Sequence, residues 1–140
     1  MAPRISYLVG RLDRVLRRAL GEALAPHGLT VAEYTTLSVL AARGGLSNAQ
    51  LARRALITPQ AMNEVLARLE ERKLVRREAD AAHARIRRTE LTAAGMRLLE
   101  SADGRVDVVE RDLLRGLPAA DRRRLGQLLA DCLRDTGATN

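Results

Sequence analysis

Apolar residues return at helical spacing at both ends of the chain. Over residues 3–24 leucine, isoleucine, valine and alanine recur every three or four positions, which predicts an amphipathic helix with a wide apolar face. Pro26 and Gly28 end this helix. A long helix is predicted over residues 92–114, and a last helix follows it. The apolar face of the last helix is formed by Leu125, Leu128, Leu129, Cys132 and Leu133.

The middle of the chain begins with two short helices, each opened by a capping box. In the first, the Thr30 hydroxyl is expected to accept from a backbone N–H while Glu33 reaches back to the cap. In the second, Ser47 and Gln50 repeat this spacing and begin a helix over residues 47–55. The pattern therefore predicts two separately capped helices.

A third short helix, over residues 58–73, has a strong start signal. Thr58 is a good N-cap, and Pro59 suits the first helical position because its missing N–H would be unpaired there. Gln60 and Asn63 lie near the start of the helix, away from its apolar face. That apolar face is formed by Met62, Val65, Leu66 and Leu69.

The apolar period changes after this helix. Residues 74–78 and 85–91 predict two strands, with a wing over residues 79–88. The candidates for burial on the second strand are Ile86, Thr89 and Leu91. The fold class predicted for the whole chain is mainly α, with six helices and a two-stranded wing.

The composition fits a single domain with an aliphatic core. The chain has 140 residues, with no Phe and no Trp, so Leu, Val and Ala must fill the interior. The single cysteine, Cys132, cannot form an internal disulfide, and its place on an apolar stripe predicts a buried, unreactive thiol. Because no long apolar run or signal-peptide pattern is present, we expect a cytoplasmic protein without a membrane partner.

The excess of positive charge avoids the C-terminal third of the chain. The formal net charge is +7. Residues 50–90 carry 10 basic and 6 acidic side chains, whereas residues 91–140 carry 8 of each. Such a balance favours an anionic partner, either nucleic acid or a membrane surface. A purely compositional enrichment in arginine is the alternative.

The helices over residues 47–55 and 58–73, followed by the wing, predict a winged helix-turn-helix. In such proteins the N-terminal part of the second helix enters the major groove of DNA. Amide side chains suit this position because they can pair bidentately with adenine, and a wing arginine can enter the minor groove. The candidate DNA-binding residues are Ser47, Asn48, Thr58, Pro59, Gln60, Asn63, Arg68, Arg76, His83, Arg85 and Arg87.

Three stretches of the chain resemble the MarR family of winged-helix regulators. They are LTVAEYTTLSVLA, SNAQLARRALITPQAMNEVLARLEERKLVRR and RTELTAAGMRLL, and the resemblance covers nearly the whole chain. It implies a homodimer with dimerisation helices over residues 1–28 and 93–136, a DNA-binding lobe over residues 30–91 and a frayed tail at residues 137–140. It also implies a repressor that binds a roughly palindromic operator in double-stranded DNA and is released by a small aromatic or anionic ligand.

Three positions depart from the family pattern. His83 precedes the wing arginine, Arg85, in the place where the aspartate partner of that arginine is expected. Glu64 stands where a small or basic residue is common, and we expect it to pair with Arg68, four residues later. Lys73 replaces a common glycine, which predicts a strained or differently closed turn at the end of the helix over residues 58–73.

The first and last helices carry more apolar surface than one small lobe needs. A second copy of the chain is the economical way to cover it, and an intramolecular bundle is the alternative. Several members of the family sense anionic aromatic compounds. The candidate ligand-binding residues are Tyr7, Arg11, Arg14, His27 and Tyr34.

The sequence does not indicate an enzyme. His27 and His83 have no nucleophile or carboxylate at a recognised spacing, and two histidines with one cysteine do not make a metal site. We therefore expect no catalytic residues, no metal and no cofactor. Two alternatives to a sequence-specific regulator remain: a low-specificity architectural DNA-binding protein, and a helical interaction protein that does not bind DNA.

Overall fold

A computed structural model describes residues 1–134 and 136 of the chain. In chain order its elements are α1 (Ile5–Leu24), a 3-10 turn (Ala25–His27), α2 (Val31–Ala42), β1 (Leu46–Ser47), α3 (Asn48–Ala55), α4 (Pro59–Glu71), β2 (Val75–Ala79), β3 (Arg87–Leu91), α5 (Ala93–Leu113) and α6 (Ala119–Arg134). Six helices and a small antiparallel sheet confirm the mainly α fold class. The frayed tail predicted at residues 137–140 lies outside the described residues.

The predicted side-chain caps open the central helices, with one difference. Ser47 and Gln50 form a complete capping box at α3, because each side chain bonds the other residue's backbone N–H. At α2 the Thr30 hydroxyl accepts from the Glu33 N–H at 3.1 Å. The carboxylate of Glu33, expected to close the second half of that box, instead accepts from Arg68 at 3.0 Å. Glu33 is buried, and a buried carboxylate needs a charged or hydrogen-bonding partner.

The sheet has three strands in the order β1–β3–β2, all antiparallel. The two-residue strand β1 was not predicted, and it pairs Leu46 with Thr89 at the base of the wing. Thr89 is buried as predicted, but the predicted burial of Ile86 is wrong, since its side chain is 38% exposed. The strand begins only at Arg87, so Ile86 lies in the turn of the wing, where its N–H bonds the carbonyl of His83.

Most of the core lies inside the winged lobe, which we define as residues 30–91, and the helices outside it add Leu24 from α1 and Leu99, Ala102 and Val106 from α5. The four predicted inward residues of α4, Met62, Val65, Leu66 and Leu69, are all buried, and they meet buried leucines of α2 and α3. Burying a leucine or methionine side chain stabilises a fold by about 1.5–3 kcal/mol relative to its exposed state. This aliphatic core fixes which face of α4 is left for solvent.

The turn that ends α4 has a lysine at the position where the family commonly has glycine. Lys73 adopts the left-handed conformation, with φ of 59°, which confirms the expected strain in this turn. The N–H of Leu74 bonds the carbonyl of Leu69, and the N–H of Lys73 bonds the carbonyl of Glu70. These two bonds form a Schellman motif, which normally places glycine at the left-handed position. The lysine keeps the motif at a cost in backbone strain.

The first turn of α5 packs closely on the end of this motif. The hydroxyl of Thr92 caps α5 and also donates to the carbonyl of Lys73 at 2.7 Å. A Cβ atom added at Gly95 would lie only 2.1 Å from the carbonyl oxygen of Leu74. Glycine at residue 95 therefore permits the approach that joins α5 to the winged lobe.

The outer helices, which we define as α1, α5 and α6, leave much apolar surface uncovered. Within α1 only Leu24 is buried, and no residue of α6 is buried. The predicted burial of Cys132 is wrong for the described residues, since its side chain is exposed and no residue of α6 is buried. The exposed large apolar side chains of these helices include Ile5, Leu8, Val9, Leu12, Val15, Val108, Leu128, Leu129 and Leu133. None of the described helices is both long and apolar enough to cross a membrane.

Candidate nucleic-acid interface

The exposed face of α4 carries the residues predicted to read bases. Thr58, Pro59, Gln60 and Asn63 are all exposed at the N-terminal end of the helix. The Thr58 hydroxyl accepts from the N–H of Ala61 at 3.1 Å, so it serves as the predicted N-cap. The structure therefore presents a helix N-terminus with two amide side chains to solvent, and such a terminus attracts phosphate through its partial positive charge.

A hydrogen-bonded chain connects α4 to α3 and to the wing. The side-chain amide of Asn48, at the start of α3, donates from Nδ2 to Oδ1 of Asn63. Arg77, on β2, donates from Nη2 to Oδ1 of Asn48 at 3.3 Å. Asn48 and Asn63, predicted separately as DNA-binding residues, thus form one connected group with Arg77.

Three of the arginines predicted at the interface are also ion-paired within the chain. Arg76 lies 3.0 Å from Glu78, and Arg87 lies 3.8 Å from Glu70. Both pairs are exposed, and such pairs contribute little to stability. Their arginines can therefore exchange a carboxylate for a phosphate at small cost.

Arg68 is held differently. Its Nε atom lies 3.0 Å from the carboxylate of the buried Glu33, which comes from α2. The predicted pairing of Arg68 with Glu64 is therefore wrong. Arg68 links α4 to α2 across the lobe, although its side chain remains half exposed.

The wing is organised by an aspartate that the sequence analysis did not single out. Asp80 accepts backbone N–H bonds from Ala82 and His83, and Arg88 donates to it at 2.7 Å. The bond from Arg88 is the main reason that the pKa of Asp80 lies below its usual range. Arg88 also donates to the carbonyl of Gly45, which ties the wing to the turn before β1. This pair orders the wing in place of the aspartate that Arg85 lacks.

A cleft of about 370 Å³ separates the start of α3 from the wing. It is lined by Ser47, Asn48, Ala49, Arg77, Arg85, Ile86 and Arg87. The structure therefore brings four of the predicted DNA-binding residues, two from α3 and two from the wing, to one basic concave surface. His83 is exposed at the tip of the wing.

Two of the predicted ligand-binding residues bond to α5. The hydroxyl of Tyr34 donates to Asp103 at 2.5 Å, and the ring of His27 shares a hydrogen bond with Ser101 at 3.2 Å. Burial, followed by the bond to Asp103, raises the pKa of Tyr34 to about 12. The phenol is therefore a neutral donor at physiological pH.

The other predicted ligand-binding residues lie on α1. The guanidinium of Arg11 stacks over the ring of Tyr7 with its central carbon 5.8 Å from the ring centre. Arg14 is exposed on the same helix. The structure thus divides the five residues between an exposed stretch of α1 and the contacts that His27 and Tyr34 make with α5.

Arg77, Asp80 and Arg88 also lie at this surface, although they are not among the candidate DNA-binding residues. The sequence does indicate that Arg77 faces the interior. Arg77 follows the apolar Val75 by two residues on a strand, so the two side chains must share a face. No comparable local signal marks Arg88, whose partners Asp80 and Gly45 depend on the strand register and on the approach of the turn before β1.

Comparison with known proteins places this geometry in a family. The sequence profile of the MarR family matches residues 27–86. Over 125 residues, 89% of this chain and 90% of its relative, the chain is 39% identical to the HTH-type transcriptional repressor Rv2887 of Mycobacterium tuberculosis.

Solved structures agree with that match. The structure of Rv2887 in complex with DNA is similar with a TM-score of 0.78 at 36% identity, over 94% of this chain and 98% of that chain. The complex of Rv2887 with salicylic acid gives the same TM-score at 37% identity, over 94% and 97% of the two chains. A MarR-family regulator from Rhodococcus sp. RHA1 gives 0.88 at 27% identity, over 94% of each chain. The chain therefore belongs to the MarR family of DNA-binding, non-enzymatic winged helix-turn-helix transcriptional regulators.

Proposed function

We propose that this chain is a homodimeric repressor that places the N-terminal end of α4 in the major groove of a roughly palindromic operator. One observation carries the proposal: α4 buries one face while Gln60 and Asn63 remain exposed on the other, where Asn63 bonds Asn48 of the basic cleft. In a helix-turn-helix dimer, two such helices read half-sites about one helical turn of DNA apart. The crystallised complex of Rv2887 with DNA supports this use of the fold.

In this proposal the chain is divided as the sequence suggested. Residues 30–91 contact DNA, and residues 1–28 and 93–136 form the dimer. The uncovered apolar side chains of the outer helices support a second copy, because exposed patches of that size mark protein interfaces. Most binding energy comes from phosphate neutralisation, and the choice of site comes from base contacts. We place the protein in the cytoplasm, where its operator is accessible.

Protection of the DNA upstream of the protein's own gene tests the proposal. We expect a discrete, two-fold symmetric protected region. A uniform protection pattern would instead indicate the architectural alternative, and no protection would indicate an interaction protein without DNA binding.

Two variants separate base reading from phosphate binding. Gln60→Ala should weaken operator binding by about 1–3 kcal/mol and leave binding to random DNA unchanged. Arg85→Ala, the matched variant from the wing, should weaken both and reduce the slope of log affinity against log salt by about one. Equal losses on both DNAs for Gln60→Ala would contradict its role as a base reader.

We further propose that a small anionic aromatic compound releases the repressor. The salicylic acid complex of Rv2887 supports this class of ligand. Arg11 and Arg14 supply exposed positive groups on α1, His27 supplies a polar group that bonds α5, and Tyr34 supplies a neutral donor. Salicylate should raise the thermal midpoint of the DNA-free protein and dissociate the operator complex, whereas benzyl alcohol should do neither. No shift with salicylate would contradict this choice of ligand class.

A further inference from the structure

Arg77 occupies an unusual position for a charged side chain. The strand register aligns Arg77 with Thr89 and Leu46, so all three share one face of the sheet. Thr89 and Leu46 are buried, as is Val75, two residues before Arg77 on the same strand. The guanidinium is therefore half-buried on the inner face, and this desolvation lowers the pKa of Arg77. Placing a cation there costs free energy unless it has hydrogen-bond partners.

The partner of this guanidinium sets the direction of a hydrogen-bonded chain. Arginine can only donate, so the atom of Asn48 that faces Arg77 must be its oxygen. The nitrogen of Asn48 then faces Asn63 and must meet the oxygen of that amide. Turning either amide over would bring two donors together. The arginine thus fixes the orientation of both amides, which their own shapes leave open.

We propose that Arg77 acts as a positioning residue for base recognition, and that through Asn48 it makes Asn63 present N–H donors to the base edge. This inference rests on the proposed function, because it concerns which base α4 selects. Guanine N7 and O6 and thymine O4 are acceptors in the major groove, whereas cytosine presents a donor. Asn63 therefore favours guanine or thymine over cytosine at one position of each half-site.

This differs from the bidentate pairing with adenine that an isolated asparagine suggests. Pairing with adenine uses the amide oxygen and nitrogen together. In this protein the oxygen of Asn63 already accepts from Asn48, while no intrachain acceptor for Nδ2 of Asn63 occurs in the described part of the chain. The exposed part of the Asn63 side chain is therefore mainly a hydrogen-bond donor.

Asn48→Asp reverses the direction of these hydrogen bonds without changing Asn63, the residue proposed to read the base. Aspartate offers only acceptors, so it keeps the bond from Arg77 but requires Asn63 to turn its nitrogen toward residue 48. The oxygen of Asn63 then faces the base. The test is selection of bound duplexes from a library with a randomised site, using the full-length protein, its Asn48→Asp variant and its Asn63→Ala variant.

We expect the wild type to enrich guanine or thymine at one position that loses its preference in Asn63→Ala. In Asn48→Asp the same position should change to cytosine or adenine, by about fivefold or more, while the rest of the motif is retained. An unchanged base at this position in Asn48→Asp would overturn the inference. A wild type that enriches no motif at all would overturn the proposed sequence-specific function, and the inference with it.

The added charge of Asn48→Asp could weaken DNA binding too far for selection. In that case a second pair of variants tests whether Arg77 orients the two amides. Arg77→Met keeps the length of the side chain and removes its donors, so the base preference at this position should relax. Arg77→Lys retains a donor to Asn48 and should preserve the preference. Identical preferences in the methionine and lysine variants would show that Arg77 does not orient the amides.

Discussion

The winged lobe and the outer helices bury apolar residues to very different extents. In the lobe the side chains of Leu37, Leu51 and Leu69 are fully buried, whereas Val15 on α1 and Leu133 on α6 remain about half exposed. Helix α4 of the lobe and helix α6 nevertheless have similar helical periodicity in sequence. The comparison teaches that an apolar stripe shows which face of a helix must be covered, but not whether the same chain covers it.

The largest expected effect comes from placing charge on the outer helices. Leu129→Glu should weaken the proposed dimer roughly a hundredfold or more, because a carboxylate would be buried without a partner. Sedimentation of the variant should show single chains, and operator binding should fall with dimerisation.

Gln127→Glu is the matched control for this prediction. It adds the same charge on the opposite side of α6, so it should leave the dimer intact. A dimer that survives in Leu129→Glu would assign the uncovered face to another partner.

The junction between the two regions should be the next most sensitive place. Gly95→Ala should lower the free energy of unfolding by about 2 kcal/mol or more, since the new Cβ would overlap the backbone of Leu74 and only the chain itself can move. Gly104→Ala, in the same helix with nothing within 4 Å, should instead add about 0.5–1 kcal/mol. Urea unfolding of both variants measures the contrast, and equal changes would contradict the close packing at residue 95.

A smaller, favourable effect is expected inside the lobe. Lys73→Gly should raise the free energy of unfolding by about 0.5–1 kcal/mol, because relief of the left-handed strain exceeds the added entropy of the unfolded chain. Lys73→Ala keeps the strain and should give no gain. If alanine stabilises as much as glycine does, backbone strain is not the cause.

The smallest expected effect is a shift in the pKa of Tyr34, whose hydroxyl joins the winged lobe to α5. The Tyr7→Phe variant leaves Tyr34 as the only tyrosine, so phenolate absorbance should appear near pH 12 rather than near the usual tyrosine pKa of 10.0. Because the folded pKa is raised, the stability contributed by the neutral phenol is present below pH 10 and is lost as the pH rises toward 12. Adding Asp103→Asn should lower the midpoint. A midpoint near 10 in the folded protein would contradict the raised pKa of Tyr34 and its hydrogen bond to Asp103.

Local rules predicted much of the winged lobe. Thr58 and Pro59 fixed the start of α4 because capping needs only neighbours in sequence, and apolar spacing fixed its buried face. The same rules failed where a partner is distant. Arg68 pairs with Glu33, 35 residues away, rather than with Glu64, because the buried carboxylate has the greater need of a cation.

Three further differences have other causes. The strand β1 is only two residues long and takes its hydrogen bonds from β3, so no periodicity could mark it. The sequence predicts one strand over residues 85–91, but β3 begins only at Arg87, so Ile86 lies in the exposed turn, three residues before the buried Thr89. For Cys132 the pattern identified an apolar stripe, but periodicity does not show whether that stripe is covered, and the side chain is exposed among the described residues.

Glu33 and Tyr34 are consecutive in the first turn of α2, yet the first holds Arg68 of the reading helix and the second holds Asp103 of α5. One peptide unit thus couples two regions that otherwise differ in how they are packed. Because both side chains leave the same helical turn, we expect a rotation of this turn to disturb both bonds. In the proposed symmetric dimer such a rotation would occur in both subunits, and each would contribute to a change in the spacing between the two copies of α4.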